Sequence, residues 1–282
     1  MTYNRVLTIQ DISCFGQCSL TVALPIISAC GVETCVIPSA VLSTHTGNFK
    51  GYTFRDLTED IPAIQAHWIK EGIKFDAIYT GYLGNIKQIA YVNDIMRTMG
   101  KTGCKNIVDP AMADNGKLYS GFNMEFVEEM KSLCKTADII LPNITEACLL
   151  TNTAFRTQYD EEYIISLMQK LHSFGPETII LTGVSYQPET TGIAVLEKGT
   201  LSYYEHQHIQ RGCHGTGDVY ASAFVGMLMN GHDTYTAASF AADFTVTCIE
   251  NTQGDSSHWY GVKFETALPQ LINKIAKNKK NI

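Results

Sequence analysis

The stretch RGCHGTGDVYASAF, residues 211–224, is where the chemistry of the chain is expected. Its first half is rich in glycine and ends at Asp218, and its second half is mostly apolar. Apolar residues then recur at every fourth position, at Tyr220, Phe224 and Leu228, which is helical spacing, and an Asn-Gly pair after them is a typical helix end. The stretch therefore predicts a glycine-rich loop that opens a helix.

A glycine-rich loop before a helix is suited to binding anions. Small residues let the backbone turn so that amides point outward, and the first amides of a helix have no internal acceptor, so phosphate binds well there. A carboxylate at this place, Asp218, would accept a proton from a substrate hydroxyl while the amides hold the developing charge, as in phosphoryl transfer to an alcohol. A carboxylate that only complements the helix dipole fits the local sequence as well, and both interpretations stay open at this point.

The regions before and after this stretch alternate between strand and helix patterns. This alternation is typical of a parallel sheet covered by helices, with one antiparallel pair at 192–196 and 201–206. The other predicted strands are 6–9, 34–37, 77–80, 106–110, 139–143 and 178–181, and the predicted helices are 20–29, 57–73, 85–99, 124–134, 161–174, 219–229, 237–249 and 264–275.

The segment 39–52 has little periodicity and is predicted to be a loop that reaches over a site. No repeat, low-complexity tract or linker divides the sequence. Residues 1–282 are therefore expected to form a single domain.

Polar residues stand where several of the predicted strands end. In open α/β sheets ligands bind beyond the carboxyl ends of the strands, so these residues are expected to line one crevice. They are Asp11, Tyr82, Asp109, Asn143 and Thr182.

Composition excludes several classes of protein. With 45% hydrophobic and 17% charged residues the chain can bury a sizeable core, and its formal charge of -7 argues against a nucleic-acid surface. No secretory signal and no apolar run long enough for a membrane span is visible, so a cytoplasmic protein is expected. The nine cysteines are scattered without a C-x-x-C pair, and their spacings fit no zinc pattern well.

The glycine pattern excludes other nucleotide-binding motifs. No G-x-x-x-x-G-K-[ST] sequence occurs, and the G-x-x-G-x-G spacing of 212–217 is not the dinucleotide fingerprint. Protein-kinase signatures are also missing.

The Gly215-Thr216-Gly217-Asp218 loop resembles that of the ribokinase-like superfamily, and several further motifs resemble those of the pyridoxal (pyridoxine, pyridoxamine) kinase family. The resemblance runs over essentially the whole chain, in the family's order. The motifs are Val6-Leu7-Thr8-Ile9-Gln10, Thr44-His45-Thr46-Gly47, Thr80-Gly81-Tyr82, Val108-Asp109-Pro110, and Pro142-Asn143 followed by Glu146.

The resemblance implies a three-layer α-β-α fold with a central, mostly parallel sheet, and ATP-dependent phosphorylation of the 5'-hydroxymethyl group of a B6 vitamer in vitamin salvage. It also implies Mg²⁺, a homodimer and a monovalent cation such as K⁺. By motif match, Asp218 is the general base and Gly215, Thr216 and Gly217 form the anion hole. The remaining roles are Asp109 and Glu146 for the metal, Asn143, Glu146 and Thr182 for ATP, and Asp11, Thr46 and Tyr82 for the pyridine ring.

The chain departs from that family at two places. Many of its members have Ser where Asp11 stands, and Cys213 lies inside the presumed catalytic loop. A thiol near a helix start tends toward thiolate, and thiols add reversibly to the aldehyde of pyridoxal. Cys213 is therefore predicted to contact the substrate, the alternative being a small residue that packs the loop.

Several other functions compete with this one. A hydroxymethylpyrimidine kinase of thiamine biosynthesis acts on a similar flat ring with a similar hydroxymethyl group, and it is the nearest rival. Sugar kinases are expected to have glycine-rich motifs near the N-terminus, which this sequence lacks. A cysteine-nucleophile hydrolase that uses Cys213 would leave Asp218 without a task, and a non-catalytic vitamer sensor would not need the set of catalytic residues.

Overall fold

A computed structural model of the chain describes residues 3–209 and 213–278. The strands are β1 (Arg5–Ser13), β2 (Glu33–Leu42), β3 (Phe54–Asp56), β4 (Phe75–Thr80), β5 (Gly100–Val108), β6 (Ala113–Asp114), β7 (Lys117–Leu118), β8 (Ile139–Ile140), β9 (Thr178–Val184), β10 (Thr190–Glu197) and β11 (Thr200–Gln207).

The α-helices are α1 (Leu20–Ala29), α2 (Ile61–Lys70), α3 (Ile86–Met99), α4 (Met124–Cys134), α5 (Ile144–Leu150), α6 (Glu161–His172), α7 (Thr216–Leu228), α8 (Thr234–Thr252) and α9 (Leu268–Asn278). Short 3-10 turns at Thr58–Asp60 and Phe264–Thr266 precede α2 and α9.

The chain forms two compact units, Met1–Leu57 with Ile209–Ile282, and Thr58–His208. In the first, α1 connects the parallel strands β1 and β2, and β3 pairs antiparallel to β2. Helix α7 packs against α1 and α8 and is buried almost all round, because its residues from Val219 to Met227 are apolar or small. The start of α7 is thereby fixed against the first unit's core.

The structure corrects one sequence prediction in this unit. Residues 39–42 belong to strand β2 and are not part of a loop. Ala40 and Leu42 are buried, and Leu42 pairs with Ser13 of β1. Burial of these apolar side chains stabilises the strand, although the run has no helical or alternating pattern. The loop therefore starts only after Leu42.

In the second unit β4, β5, β8 and β9 run parallel, and β10 and β11 extend them as an antiparallel pair, as predicted. Helices α2 to α6 belong to this unit, and β6 with β7 forms a small separate hairpin. Asp109 and Asn143 follow the neighbouring parallel strands β5 and β8, while Thr182 lies inside β9, which continues past the predicted end at 181 to Val184.

The predicted fold class is confirmed. Among the described residues each unit is built on parallel strands with helices packed against them, β1 and β2 in the first unit and β4, β5, β8 and β9 in the second, which is the predicted α/β class with α-β-α layers. No helix in residues 3–209 and 213–278 has the length and apolar character that crossing a membrane requires. All nine cysteines are free thiols, and the single-domain organisation stays a prediction.

Candidate active site

The glycine-rich loop turns into α7 at Gly215, the residue before the helix. Gly215 has a φ of 75°, in the left-handed region that favours glycine. A Cβ at this position would lie 1.8 Å from the backbone oxygen of Gln17. No larger residue fits without moving the loop, and the amides of the first turn, from Thr216 on, are presented at the helix start as predicted.

Asp218 lies in the first turn of α7 with its side chain partly buried. Burial and, to a smaller extent, the negative charge of Asp11 raise its pKa to about 7, against the lowering effect of a hydrogen bond from the Ser19 amide. A carboxyl group with a pKa near neutral pH is well matched to accept a proton from an alcohol.

Asp11 lies near the end of β1, where the register with β2 shifts between Gln10 and Ile12. Its side chain is only 5% exposed, and its Oδ2 accepts a hydrogen bond from Ser13 Oγ at 2.8 Å. Burial raises its pKa, against the lowering effect of hydrogen bonds from Ser19 and Ser13. The structure thus brings Asp11 and Asp218, two of the predicted site residues, into electrostatic contact.

Cys18 is a neighbour of both carboxylates, and the sequence analysis gave it no role in the active site. Its pKa is raised well above that of a free thiol by burial and by the charges of Asp218 and Asp11. Its Sγ lies 3.3 Å from the position of a Cβ added at Gly215. The sequence hinted at the closeness of Cys18 to Asp11 only through their short separation along the chain.

The predicted substrate residues Thr46 and Cys213 lie on the loops of the same unit. Thr46 is exposed and stands between His45 and Gly47, and Cys213 is half-buried beside His214 at the start of the described loop. The imidazole rings of His45 and His214 lie 5.1 Å apart, centroid to centroid, so the two loops meet at this pair.

The second unit holds the residues predicted to serve ATP. Asn143 caps α5, with its Oδ1 accepting from the Glu146 amide at 2.9 Å, and Glu146 Oε2 accepts in turn from the Asn143 amide at 2.9 Å. Such a reciprocal pair defines the start of a helix. Asn143 also forms a parallel bridge to Thr182, whose amide donates to Pro142 O at 2.9 Å. Asn143, Glu146 and Thr182 are therefore brought together at the ends of β8 and β9.

Glu146 also holds the segment that follows β5. Its Oε1 accepts from the amides of Met112 and Ala113 at 3.0 and 3.4 Å, and the side chain is 2% exposed. Burial raises its pKa to about 8, while the backbone amides lower it. Since both oxygens already accept hydrogen bonds, Glu146 has a structural task in addition to any predicted ligand role.

We expect Glu146→Gln to lower the melting temperature by about 5 °C or more. The Gln side chain keeps one acceptor oxygen, but its NH₂ group replaces the other oxygen and faces backbone N–H groups that need an acceptor. Each buried donor left unpaired costs about 1–3 kcal/mol. Thermal denaturation measures the effect. The matched control is Glu128→Gln on the exposed face of α4, and equal melting temperatures of the two variants would contradict the structural task of Glu146.

Asp109 follows β5 and is buried, and its amide donates to Thr80 O at 3.0 Å. Burial and then the charges of Glu146 and Asp109 raise the pKa of the Cys134 thiol, so both carboxylates lie near the same buried thiol. Within residues 3–209 and 213–278, no group of three or more His, Cys, Asp or Glu side chains is arranged to hold a metal ion. A pair of carboxylates is nevertheless a usual protein contribution to a Mg²⁺ site, where substrate phosphates and water supply the other ligands.

Tyr82, predicted to face the ring, follows β4. Its ring stacks on Phe122, with centroids 5.5 Å apart, and Phe122 stacks on Phe126 at 3.9 Å. Phe122 and Phe126 line a groove of about 370 Å³ at the N-terminal ends of α3 and α4. Tyr82 thus belongs to an aromatic cluster with Phe122 and the buried Phe126 beside this groove.

The chain is similar in sequence to two kinds of kinase. The model of the phosphomethylpyrimidine kinase family matches residues 23–261. Pig pyridoxal kinase is 31% identical over 193 residues, which cover 64% of this chain and 56% of that protein, so the chain matches just over half the length of this relative. The hydroxymethylpyrimidine/phosphomethylpyrimidine kinase of Bacillus subtilis is 27% identical over 255 residues, 89% of this chain and 84% of that protein.

Solved structures of similar fold include proteins of the same two kinase types. A Bacteroides thetaiotaomicron protein, provisionally assigned as a phosphomethylpyrimidine kinase, is 34% identical with a TM-score of 0.92 over 96% of this chain and 94% of that chain. Another crystal form of that protein, with a TM-score of 0.90, contains pyridoxal. Pyridoxal kinase from Lactobacillus plantarum is 28% identical with a TM-score of 0.88 and covers 99% of both chains. The prediction that the chain is a kinase is confirmed at the level of the family. The chain therefore belongs to the phosphomethylpyrimidine kinase family, in the ribokinase-like group that includes the pyridoxal kinases.

Proposed function

We propose that the chain is an ATP-dependent kinase that phosphorylates the 5'-hydroxymethyl group of a B6 vitamer. The observation that carries the proposal is Asp218, a carboxyl group with a pKa of about 7 in the first turn of a helix that follows Gly215, where an added Cβ would lie 1.8 Å from Gln17 O. This is the combination that proton removal next to an anion-binding backbone requires.

In the proposed reaction Asp218 accepts the proton of the 5'-hydroxyl group. The alkoxide oxygen forms a bond to the γ-phosphorus of ATP as the bond from that phosphorus to the β,γ-bridging oxygen breaks, which yields the phosphate ester and ADP. The amides of Gly215, Thr216 and Gly217 stabilise the charge of the migrating phosphoryl group. Asp11, Thr46 and Cys213, from the same unit as Asp218, contact the ring in this proposal. The role of Tyr82, in the second unit, in binding the ring stays a prediction from the motif.

The nucleotide side of the proposal rests on the second unit. Asn143, Glu146 and Thr182 lie together at strand ends, the position at which α/β sheets bind ligands. Asp109 and Glu146 would hold Mg²⁺, which neutralises the phosphate oxygens when bound. A monovalent cation such as K⁺, a homodimer and a cytoplasmic location complete the proposal as predictions.

Hydroxymethylpyrimidine is the second candidate substrate. The comparison with the Bacillus subtilis enzyme, which extends over 89% of this chain, favours it. The pyridoxal in a crystal of the 34% identical Bacteroides protein favours the vitamer. The family match gives no support to a cysteine-nucleophile hydrolase.

An assay of ATP-dependent phosphorylation across pyridoxal, pyridoxine, pyridoxamine and hydroxymethylpyrimidine tests the proposal. We expect the highest kcat/KM with a B6 vitamer, and Asp218→Asn controls for contaminating kinases. A clear preference for hydroxymethylpyrimidine would assign the chain to the second candidate. Absence of phosphorylation of all four compounds by the folded protein would overturn both.

Cys213→Ala in the same assay separates the two interpretations of this cysteine. If the thiol captures the aldehyde, the variant loses kcat/KM for pyridoxal and keeps it for pyridoxine, which has no aldehyde. Equal and unchanged values for the two vitamers would show that Cys213 only packs the loop.

A further inference from the structure

We propose that His45 is a positioning residue that holds Thr46 and the catalytic loop, residues 213–217, in their working arrangement. The inference rests on the proposed function, in which Thr46 contacts the acceptor and the loop carries the anion hole. His45 itself contacts neither substrate nor reacting atoms in this account.

Both ring nitrogens of His45 have partners whose roles are fixed. Nε2 lies 2.8 Å from Tyr260 O, a carbonyl oxygen that can only accept, so Nε2 carries the proton. Nδ1 accepts a hydrogen bond from the Gly47 amide at 3.0 Å, so Nδ1 carries none. His45 is therefore the neutral Nε2-H tautomer, and burial, which lowers its pKa, favours the same form.

These two hydrogen bonds join segments that are distant in sequence. The bond to Gly47 closes a turn around Thr46, the residue between donor and acceptor. The bond to Tyr260 ties this turn to residues 258–261, 215 positions away. The backbone amide of His45 also donates to Phe15 O at 3.3 Å, in the segment that follows β1.

The same turn is in close contact with the catalytic loop. A Cβ at Gly47 would lie 2.7 Å from both Cε1 and Nδ1 of His214, so the approach of the two loops requires glycine there. Asn48 Nδ2 lies 3.1 Å from His214 Nε2. A shift of the turn around Thr46 is therefore transmitted to His214, the neighbour of Gly215.

Aromatic rings limit the freedom of His45 to move. The ring is 5% exposed and makes an edge contact with Phe49, with centroids 4.9 Å apart. Phe49 packs on Trp259, and Phe15 packs on Tyr260, each pair at 4.6 Å. A buried ring with two satisfied nitrogens defines a single orientation, which suits a residue that positions a loop.

Three substitutions separate the two hydrogen bonds. In His45→Asn the side-chain oxygen lies near the position of Nδ1, so the bond from Gly47 is kept and the bond to Tyr260 is lost. In His45→Gln the side-chain NH₂ group lies near the position of Nε2, so the bond to Tyr260 is kept and the bond from Gly47 is lost. His45→Ala loses both bonds. We expect His45→Ala and His45→Gln to raise the KM for pyridoxal about tenfold, the effect of one lost hydrogen bond, and to leave the KM for ATP within about twofold. His45→Asn keeps the bond to Gly47 and is expected to stay within about threefold of the wild-type KM for pyridoxal.

Steady-state kinetics with each substrate varied, together with melting temperatures, measure this series, with the exposed His67→Ala as control. Wild-type KM for pyridoxal in His45→Ala would overturn the inference. Equal increases of both KM values in all three variants would overturn it as well, because His45 would then only stabilise the fold. Asp218→Asn in the same series tests the proposed function separately, since its activity does not depend on how His45 behaves.

Discussion

Asp218→Asn is expected to lower kcat by about a hundredfold to ten-thousandfold, the usual contribution of a general base, while the KM for ATP stays within about twofold. The amide has the same shape as the carboxyl group but cannot accept the hydroxyl proton. Steady-state phosphorylation of pyridoxal measures the loss. Turnover at the wild-type rate would refute the role of Asp218.

The same substitution is expected to stabilise the folded protein at pH 8. The pKa of Asp218 is about 7 in the folded protein and near 4 in an unfolded chain, so ionisation disfavours the folded state as the pH rises between these values. An uncharged Asn avoids this cost, and we expect a melting temperature at least about 3 °C above that of the wild type at pH 8. At pH 3 the carboxyl group is neutral in both states and the difference should vanish. A gain in stability with a loss of activity distinguishes loss of the base from loss of the fold.

Gly215→Ala is expected to have the second largest effect, a loss of about a hundredfold or more in kcat. The added Cβ would lie 1.8 Å from Gln17 O, and the φ of 75° disfavours any side chain, so the loop and its amides must move. One misplaced anion-hole donor alone costs about a hundredfold to a thousandfold. Steady-state kinetics and circular dichroism together measure the loss and exclude unfolding.

Gly217→Ala is the matched comparison for this prediction. A Cβ at Gly217 meets nothing within 4 Å, and the residue lies inside helix α7, where alanine is favoured. We expect the loss of kcat in Gly217→Ala to be at least tenfold smaller than the loss in Gly215→Ala. Equal losses would show that the loop has no special need for glycine at position 215.

The sequence predicts those parts of the structure that local patterns determine. The start of α7 follows from a glycine-rich loop and a four-residue apolar repeat, and Asp109 follows β5 as predicted. Helix α2 begins at Ile61, later than the predicted 57, because Pro62 fits the first turn of an α-helix and a short 3-10 turn precedes it. Strand β3 was missed because its three exposed residues carry no alternating pattern.

The parts of the site that depend on remote residues could not be predicted. The pKa of Asp218 depends on its burial, on Asp11 and on the Ser19 amide, about 200 positions away. The contact of His45 with His214 and Tyr260 likewise joins loops without any shared local pattern. The electrostatic contact of Asp11 with Asp218 joins two segments that the strand-end pattern did not relate, and the roles of all the site residues stay predictions.

The pH dependence of kcat/KM for pyridoxal, from pH 5.5 to 8.5 at saturating ATP, tests the central claim most directly. If Asp218 removes the hydroxyl proton, the rate rises about tenfold per pH unit at the acid end and levels off near pH 7, the pKa of this carboxyl group. The residual rate of Asp218→Asn should lack this rise. A wild-type rate that is flat across the range, or an acid limb that persists unchanged in Asp218→Asn, would contradict the account.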